Sequence, residues 1–529
     1  MPIRTLLDTA DLEDLEPASE APRLSKSRLV QALQCDRRLW LAVNRPELQV
    51  INAATQAIFD SGNRVGEVAR VVAAQEWGQG ELIDVKEPRG WQGGWLRCEE
   101  VLQQTRHTGT RAMLFEAPFI GPDFAVIADI VVHQPDGEIW LIEVKSSTRL
   151  DGKPYIDDVA FQADAMVRSG FHPDRVFVRL IDTGFVYPGG EDYRGLFRDE
   201  DVTEAVWERL PLVDRFVARS RAVAGGSEPE IRTGDHCRTP YECPFRGHCD
   251  AWQASIDGPP PEYPVALLAR RNVGRLSTLE RSQIDQQVWL DVRDIPEGFL
   301  SDPRTEDIAR AIRNGQPWIA PGLSAALRDL PYPRFYFDFE TINPAVPIWA
   351  GTRPYQQVPF QWSCHVEHAD GRLEHHEFLD ISGSDPRLDC ATQIVDLMGG
   401  LEGCVLVYFQ AFEETRLREL ARDLPELAEG LLRVISLLRD LLPIIRANYY
   451  HPDQQGSYSI KAVLPTVVPE LDYAGLEEVQ DGGGAQRAFL ELIDPGTLGK
   501  RSDALRRNLL AYCERDTEAM VELVKRLSD

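Results

Sequence analysis

One stretch of the chain, FAVIADIVVHQPDGEIWLIEVKSS, places two acidic residues and a lysine where a hydrolytic metal site would need them. Asp129 ends one apolar run, and residues 134–137 are a turn signal between two strand-like segments. Glu143 and Lys145 are two residues apart in the second run, so they share one face of a strand. Paired carboxylates can bind a divalent cation, and an adjacent ammonium can hold an attacking water or a phosphate oxygen. The pattern predicts phosphodiester hydrolysis, although a charged surface hairpin would have the same spacing.

Two neighbouring segments extend this candidate site. Glu116 lies in the strand-like AMLFEAPFI, where a carboxylate among apolar residues needs a partner or a metal. The segment YIDDVAFQADAMVRSG has the period of an amphipathic helix that presents Gln162. Residues 24–249 resemble the RecB-like branch of the PD-(D/E)XK nuclease superfamily, which includes the CRISPR-adaptation exonucleases. The resemblance implies a restriction-endonuclease-like core with the metal ligands Glu116, Asp129 and Glu143 and the catalytic residues Lys145 and Gln162.

Four of the nine cysteines form a second candidate site. Cys35 lies in LVQALQCDRRLW, and Cys237, Cys243 and Cys249 follow with five residues between neighbours in HCRTPYECPFRGHC. Four converging thiolates hold either an iron–sulfur cluster or zinc. The absence of a tight cysteine pair from the sequence favours the iron–sulfur cluster. RecB-like nucleases with such clusters use one early and three late cysteines, so the resemblance implies a [4Fe-4S] cluster, with zinc as the alternative. The other cysteines are expected to be free thiols, because the chain shows no secretory signal.

The C-terminal part carries an independent acidic pattern. Asp338 and Glu340 alternate in the strand-like PRFYFDFETI and share one face. Tyr512 and Asp516 are four apart in the helical LLAYCERDTEAMVELVKRL and also share a face. These motifs make residues 331–529 similar to the tyrosine-containing DnaQ-like exonucleases, which have the ribonuclease H fold. The resemblance implies that the carboxylates hold two metal ions and that Tyr512 orients the water.

The chain departs from each family pattern at one place. The helix GNRVGEVAR has no histidine near Gly66, where many RecB-like relatives carry a metal ligand. In the C-terminal part, CVLVYFQAFEETRLREL puts Glu413 where DnaQ-like relatives have an aspartate. Glu413 is the predicted metal ligand, and Asp440 in SLLRDLLPIIR is the alternative. These departures support a second hypothesis, a nucleic-acid-binding scaffold in which one of the two nuclease folds is degenerate.

Composition and charge limit the architecture around these sites. A length of 529 residues implies several domains, and no apolar run approaches the roughly 20 residues of a membrane span. The net charge of −27 opposes loose binding of polyanions but permits a local basic groove. Basic segments such as RLSKSRLV are interpreted as solvated helix faces. The three glycines at 482–484 are interpreted as a flexible loop, because no phosphate-binding pattern surrounds them.

The sequence therefore predicts an α/β multidomain protein with four segments. Residues 1–20 are expected to be an acidic disordered tail, 21–255 the RecB-like nuclease, 256–330 a helical connector, and 331–529 the DnaQ-like domain. In the connector, LLARRNVGRLSTL and TEDIARAIRNGQ have helical periods. This order of modules, with the segments YFDFETI, FQWS and SYSIK, resembles a bacterial family that joins the two nuclease types.

The predicted function is that of a cytoplasmic, metal-dependent exonuclease that uses Mg²⁺ or Mn²⁺. Its expected substrate is DNA with single-stranded ends, with RNA as a further substrate of the C-terminal site. No membrane partner is expected. Such a pairing of nucleases suits DNA repair, adaptation to foreign DNA, or antiviral defence.

Overall fold

Two units of mixed α/β structure carry the candidate sites. The computed structural model describes residues 5–7, 23–85, 90–151, 154–400, 402–471, 473, 476 and 478–529. The first unit comprises Met1–Gly258 and Pro344–Gln356, and the second comprises Pro259–Asn343 and Gln357–Asp529. Of the predicted acidic tail, all but residues 5–7 lies outside the described residues. Among the described helices, none has both the length and the apolar character needed to cross a membrane.

A mixed sheet of seven strands is the centre of the first unit. Its strands are β1 (Leu24–Ser25), β2 (Glu81–Leu82), β3 (Ala112–Ile120), β4 (Phe124–His133), β5 (Ile139–Val144), β6 (Arg175–Ile181) and β7 (Phe197–Asp201). They follow the order β2-β3-β4-β5-β6-β7, with β1 paired to β4. Strands β3, β4 and β5 are antiparallel neighbours, whereas β5 and β6 are parallel. The predicted hairpin is confirmed, and at its turn the Gln134 N–H donates to the Glu138 carbonyl at 2.8 Å.

Helices cover this sheet and contribute to its apolar core. They are α1 (Lys26–Gln34), α2 (Asp36–Asn44), α3 (Ala53–Trp77), α4 (Gly90–Thr108), α5 (Tyr155–Arg168), α6 (Thr203–Gly225) and α7 (Arg246–Asp257). Helix α5 confirms the predicted helix, but residues 157–166 are all buried, so it is not amphipathic. Its Phe161 stacks on Phe216 of α6 with ring centroids 5.8 Å apart. Strands β5 and β6 are parallel, and α5 lies in the long connection that parallel neighbours need.

The second unit contains a mixed sheet of five strands and a small ribbon of two strands. Its strands are β8 (Trp318–Ile319), β9 (Arg334–Ile342), β10 (Val358–Glu367), β11 (Leu373–Leu379), β12 (Cys404–Val407), β13 (Leu438–Asp440) and β14 (Tyr449–Tyr450). The larger sheet has the order β11-β10-β9-β12-β13, with β12 parallel to both β9 and β13. Alternation along β9 sends Phe337 and Phe339 into the apolar core, so Asp338 and Glu340 lie on the opposite face.

The helices of the second unit begin with those of the predicted connector. They are α8 (Thr278–Gln287), α9 (Pro303–Asn314), α10 (Leu323–Arg328), α11 (Arg387–Met398), α12 (Gln410–Asp423), α13 (Ala428–Leu437), α14 (Leu441–Asn448), α15 (Ile460–Val467), α16 (Gly482–Leu492) and α17 (Lys500–Ser528). Helix α9 confirms the helical period of TEDIARAIRNGQ. Helix α17 packs on β9 and β10, and Gln361 Nε2 donates to the Leu509 carbonyl at 2.8 Å.

Two local predictions in this unit are wrong. The segment LLARRNVGRLSTL is not a helix, because α8 begins only at Thr278, where Ser277 and Glu280 form a capping box. A Cβ at Gly274 would lie 2.8 Å from the Leu268 carbonyl oxygen, so the irregular backbone of this segment packs too closely there for a larger residue. The glycines at 482–484 are not a loop but the first turn of α16. The Asp481 side chain caps that turn by accepting a hydrogen bond from the Gly484 N–H at 2.7 Å.

Candidate metal centres

Asp129 and Glu143 meet where the ladder between β4 and β5 ends. The last pair of that ladder is Ile130 with Ile142, so the next residue of each strand lies opposite the other. Asp129 Oδ2 accepts a hydrogen bond from the Val144 N–H at 2.7 Å. Both carboxylates line one cavity of the first unit, and Glu116 and Lys145 line it as well. The structure thus brings together the two acids and the lysine that the sequence pattern indicated.

Two lysines neutralise Glu143. Lys145 Nζ lies 2.5 Å and Lys26 Nζ lies 2.9 Å from Glu143 Oε1, and both lysines also pair with Asp158. Burial opposes ionisation of Glu143, but the two ammonium groups outweigh it and hold its pKa below the ordinary value. Burial and the charge of Glu143 raise the pKa of Asp129 to about 8. The two lysines therefore keep Glu143 ionised, whereas burial and the charge of Glu143 outweigh their attraction at Asp129.

Lys26 and Asp158 are site residues that the sequence interpretation missed. Lys26 belongs to RLSKSRLV, and the interpretation of that segment as a solvated face is wrong for this side chain, which is 20% exposed. Its partner Glu143 is 117 residues away in the chain, so no local pattern connects them. Asp158 lies in helix α5, which the sequence predicted, and its acidic side chain is buried there.

The other two predicted residues differ in how they join the site. Gln162 is buried on α5, and its Nε2 donates to Glu143 Oε2 at 2.7 Å. Glu116 lies in β3 with a φ of +53° and pairs with Arg70 of α3 at 2.9 Å. Gly66 lines the same cavity, and a Cβ added there would meet only Arg70 Nη1, at 3.9 Å, within 4 Å. At Gly66, near which the RecB-like resemblance would have a histidine, there is therefore open space beside Arg70. The sequence interpretation did not identify this arginine.

The four predicted cysteines, Cys35, Cys237, Cys243 and Cys249, line one cavity of the first unit. Cys35 lies in extended backbone between α1 and α2, and Cys249 lies in α7. Gln34 Nε2 joins the early and late segments by donating to the carbonyls of His236 and Tyr241, both at 2.7 Å. Burial raises the pKa of the Cys249 thiol to about 12. None of the nine cysteines, all of which the structure describes, forms a disulfide.

The separation of these thiols can be compared with that in a zinc site. Among the described residues, two groups of three potential ligand atoms lie within 4.8 Å of one another, and neither group contains one of these four cysteines. Tetrahedral zinc with Zn–S bonds of roughly 2.3 Å needs sulfur atoms about 3.8 Å apart. No three of the four thiols are therefore as close together as a bound zinc ion would hold them.

Asp338, Glu340 and Asp516 form a carboxylate trio in the second unit. One carboxylate oxygen from each lies within 4.8 Å of the others. Strand β9 supplies the first two and α17 supplies the third. Burial and the charge of Asp516 raise the pKa values of Asp338 and Glu340 well above their ordinary range. Within the described part of the chain no salt bridge neutralises the trio, and oxygen ligands of this kind suit Mg²⁺ or Mn²⁺.

Tyr512 lines the same cavity as the trio and is held by a lysine. Lys461 Nζ donates to the Tyr512 hydroxyl at 2.9 Å and to the Gln480 carbonyl at 2.7 Å. Tyr473 donates its hydroxyl hydrogen to Asp516 Oδ1 at 2.5 Å. Lys461 belongs to the SYSIK segment that the sequence singled out, whereas no motif indicated Tyr473.

Glu413 lies beside the trio without joining it. It is buried on α12, and its negative charge contributes to the raised pKa of Asp338, yet it is not among the atoms grouped within 4.8 Å. Burial and the charge of Asp440 raise the pKa of Glu413 to about 8. Asp440 instead accepts hydrogen bonds from the N–H groups of Gln410 at 3.0 Å and Leu442 at 2.9 Å. Asp440 therefore caps helices α12 and α14. Of the two predicted alternatives for the metal ligand, Glu413 and Asp440, only Glu413 has a carboxylate oxygen without a hydrogen-bond partner among the described residues.

Comparisons with known proteins give two matches. Residues 335–459 match a family model described as a domain of unknown function, DUF2779. That span contains Asp338, Glu340 and Glu413 and ends before Tyr512 and Asp516. An uncharacterized protein of Ureaplasma parvum serovar 3 is 24% identical over 287 residues, which are 48% of this chain and 40% of that protein. The matched part thus spans about two fifths of the relative's length.

Proposed function

We propose that this chain is a metal-dependent nuclease that hydrolyses phosphodiester bonds of DNA as an exonuclease on single-stranded ends. The observation that carries this proposal is the trio of Asp338, Glu340 and Asp516 beside Tyr512. Three clustered carboxylates repel one another strongly, and divalent cations are the usual means by which proteins offset such repulsion. RNA is a further substrate of this site.

In this proposal, residues 331–529 are a DnaQ-like domain of the ribonuclease H fold, preceded by the connector at 256–330. Most of both segments belongs to the second unit, whereas Pro344–Gln356 belongs to the first. The acidic pair on the central strand of a mixed sheet supports the assignment. When bound, Mg²⁺ or Mn²⁺ supplies a polarised phosphate and an acidified water. Asp338, Glu340 and Asp516 would hold the metal ions, and Glu413 would be a further ligand. Burial raises the pKa of Tyr512, so its hydroxyl keeps its proton and can orient a water.

The first unit is, in the same proposal, a RecB-like PD-(D/E)XK nuclease. Asp129, Glu143 and Glu116 would hold its metal ion, and the ammonium of Lys145 would stabilise the attacking water or the phosphate. Gln162 orients Glu143 through the hydrogen bond of 2.7 Å. The four cysteines hold a [4Fe-4S] cluster that clamps the segment of Cys35 to the segment of residues 237–249, without redox turnover. The enzyme acts in the cytoplasm in DNA repair, adaptation or antiviral defence.

A second candidate function is a nucleic-acid-binding scaffold with one active and one degenerate nuclease site. The observation that favours it is the charge balance of the first unit. Lys26 and Lys145 both pair with Glu143, and Arg70 pairs with Glu116. Carboxylates that already have cationic partners have a weaker electrostatic need for a metal ion.

Cleavage of end-labelled single-stranded DNA and RNA tests both candidates. The assay contains Mg²⁺ or Mn²⁺ and compares the wild type with Lys145→Ala, Asp338→Ala and the double variant. Two active sites would make each single variant lose part of the activity and the double variant lose all of it. One single variant without any activity would establish the scaffold with one active site. Full activity in all three variants would refute the nuclease proposal.

A further inference from the structure

His365, His375 and Glu514 converge at one side of the five-stranded sheet. One potential ligand atom from each lies within 4.8 Å of the others. His365 of β10 and His375 of β11 are direct cross-strand partners, and their ring centroids are 4.5 Å apart. Helix α17 supplies Glu514, whose Oε1 lies 3.7 Å from His375 Nδ1. None of these residues belongs to the carboxylate trio described above.

Hydroxyl groups fix one nitrogen of each imidazole. Thr517 Oγ1 lies 2.8 Å from His365 Nδ1, and Ser363 Oγ lies 2.9 Å from His375 Nε2. The two hydroxyls are themselves 2.8 Å apart, so they form one network. Metal-binding histidines are usually oriented in this way, by a hydrogen bond to the ring nitrogen that does not bind the metal. The arrangement leaves His365 Nε2 and His375 Nδ1 as the ligand atoms.

We propose that His365, His375 and Glu514 bind a divalent transition-metal ion of the zinc class. Two imidazoles and one carboxylate are a common zinc ligand set, whereas Mg²⁺ prefers oxygen ligands alone. His365 is buried and Glu514 is 48% exposed on its side chain, so the site is both anchored and open to solvent.

The bound ion would join two strands to the helix that carries Tyr512 and Asp516. Thr517, which contacts His365, directly follows Asp516 in α17. Binding of zinc would therefore restrain the part of α17 that completes the carboxylate trio. The role of this ion is structural, and the proposal does not depend on nuclease activity.

Zinc binding by the full-length protein tests this site. Zn²⁺ uptake is measured by equilibrium dialysis and elemental analysis, with excess Mg²⁺ present to occupy the oxygen-ligand sites. The variants are His375→Ala and Glu514→Gln, and the control is His376→Ala, the next residue on β11, whose side chain points to the opposite face and is 41% exposed. All variants keep the four cysteines, so a difference between them reports on the histidine site alone.

We expect His375→Ala and Glu514→Gln to lose one tightly bound Zn²⁺, with affinity at that site lowered by about 100-fold or more. His376→Ala should bind as the wild type does. Equal stoichiometry and affinity in all four proteins would overturn the proposal. Because Glu514 is half-exposed, Glu514→Gln keeps the fold, and circular dichroism checks this. Titration with Co²⁺ gives an independent readout, since a nitrogen and oxygen site adds visible absorption without the charge transfer typical of thiolates.

Discussion

The buried carboxyl of Glu413 leads to a stability prediction with a defined sign and pH range. Glu413 is 2% exposed, and burial with the charge of Asp440 raises its pKa from 4.5 to about 8. Between these values the folded protein holds a proton that the unfolded chain releases. The contribution of this group to folding stability is therefore fully present below pH 4.5 and is lost as the pH rises to about 8.

The substitution Glu413→Gln removes this penalty while keeping the shape of the side chain. A change of one unit in pKa corresponds to about 1.4 kcal/mol. The rise from 4.5 to about 8 therefore limits the gain in free energy of unfolding to about 5 kcal/mol. Relaxation and water penetration reduce the penalty of a buried charge, and we therefore expect a gain of about 1–3 kcal/mol at pH 8. Near pH 5 the variant and the wild type should be almost equally stable.

Scanning calorimetry of the protein free of Mg²⁺ and Mn²⁺ measures this difference. At pH 8 the transition of the second unit should move up by roughly 2–8 °C in Glu413→Gln. Glu429→Gln, an exposed glutamate of α13, is the matched control and should change neither transition. Mn²⁺ should reduce the advantage of Glu413→Gln, because only the glutamate can act as a metal ligand. An equal gain at pH 5 and pH 8, or a loss at both, would refute the reasoning.

Three further variants test contacts at the other sites. Gln162→Leu removes a hydrogen bond to a buried carboxylate and should weaken Mn²⁺ binding in the first unit by about 10–100-fold, as measured by calorimetric titration. Lys461→Met removes the ammonium that holds Tyr512, and it should lower kcat of the C-terminal site by about 10-fold with little change in KM. Arg37→Met breaks a buried ion pair and a stack on a tryptophan 4.1 Å away, and it should cost about 3 kcal/mol in urea unfolding. Arg45→Met, an exposed control, should cost almost nothing.

Local sequence patterns predicted the elements that carry the acidic residues. The alternation along β9 placed Asp338 and Glu340 on one face, and the helical spacing in α17 did the same for Tyr512 and Asp516. The turn at residues 134–137 likewise identified the hairpin of β4 and β5. Strand and helix periods are properties of a few neighbouring residues, so a single sequence is sufficient to recognise them.

The distant residues that contact those acids could not be predicted in the same way. Lys26 contacts a carboxylate 117 residues away, and Tyr473 contacts Asp516 across 43 residues. Such pairs are determined by the packing of distant elements, which no local period encodes. The glycines that begin α16 were missed for a related reason. Their low helix propensity favoured a loop, but the cap by Asp481 and the packing of the helix outweigh it.

The two acidic sites balance their buried charge in opposite ways. In the first unit, Lys26 and Lys145 hold the pKa of Glu143 below its ordinary value, so this carboxylate is ionised without any metal. In the second unit, burial and mutual repulsion hold the pKa values of Asp338 and Glu340 well above theirs. A metal ion entering the trio must therefore displace protons, whereas one reaching Glu143 must compete with two ammonium groups. In the proposed metal sites we therefore expect pH to govern binding to the trio and to Asp129, while the positions of the two lysines govern binding to Glu143.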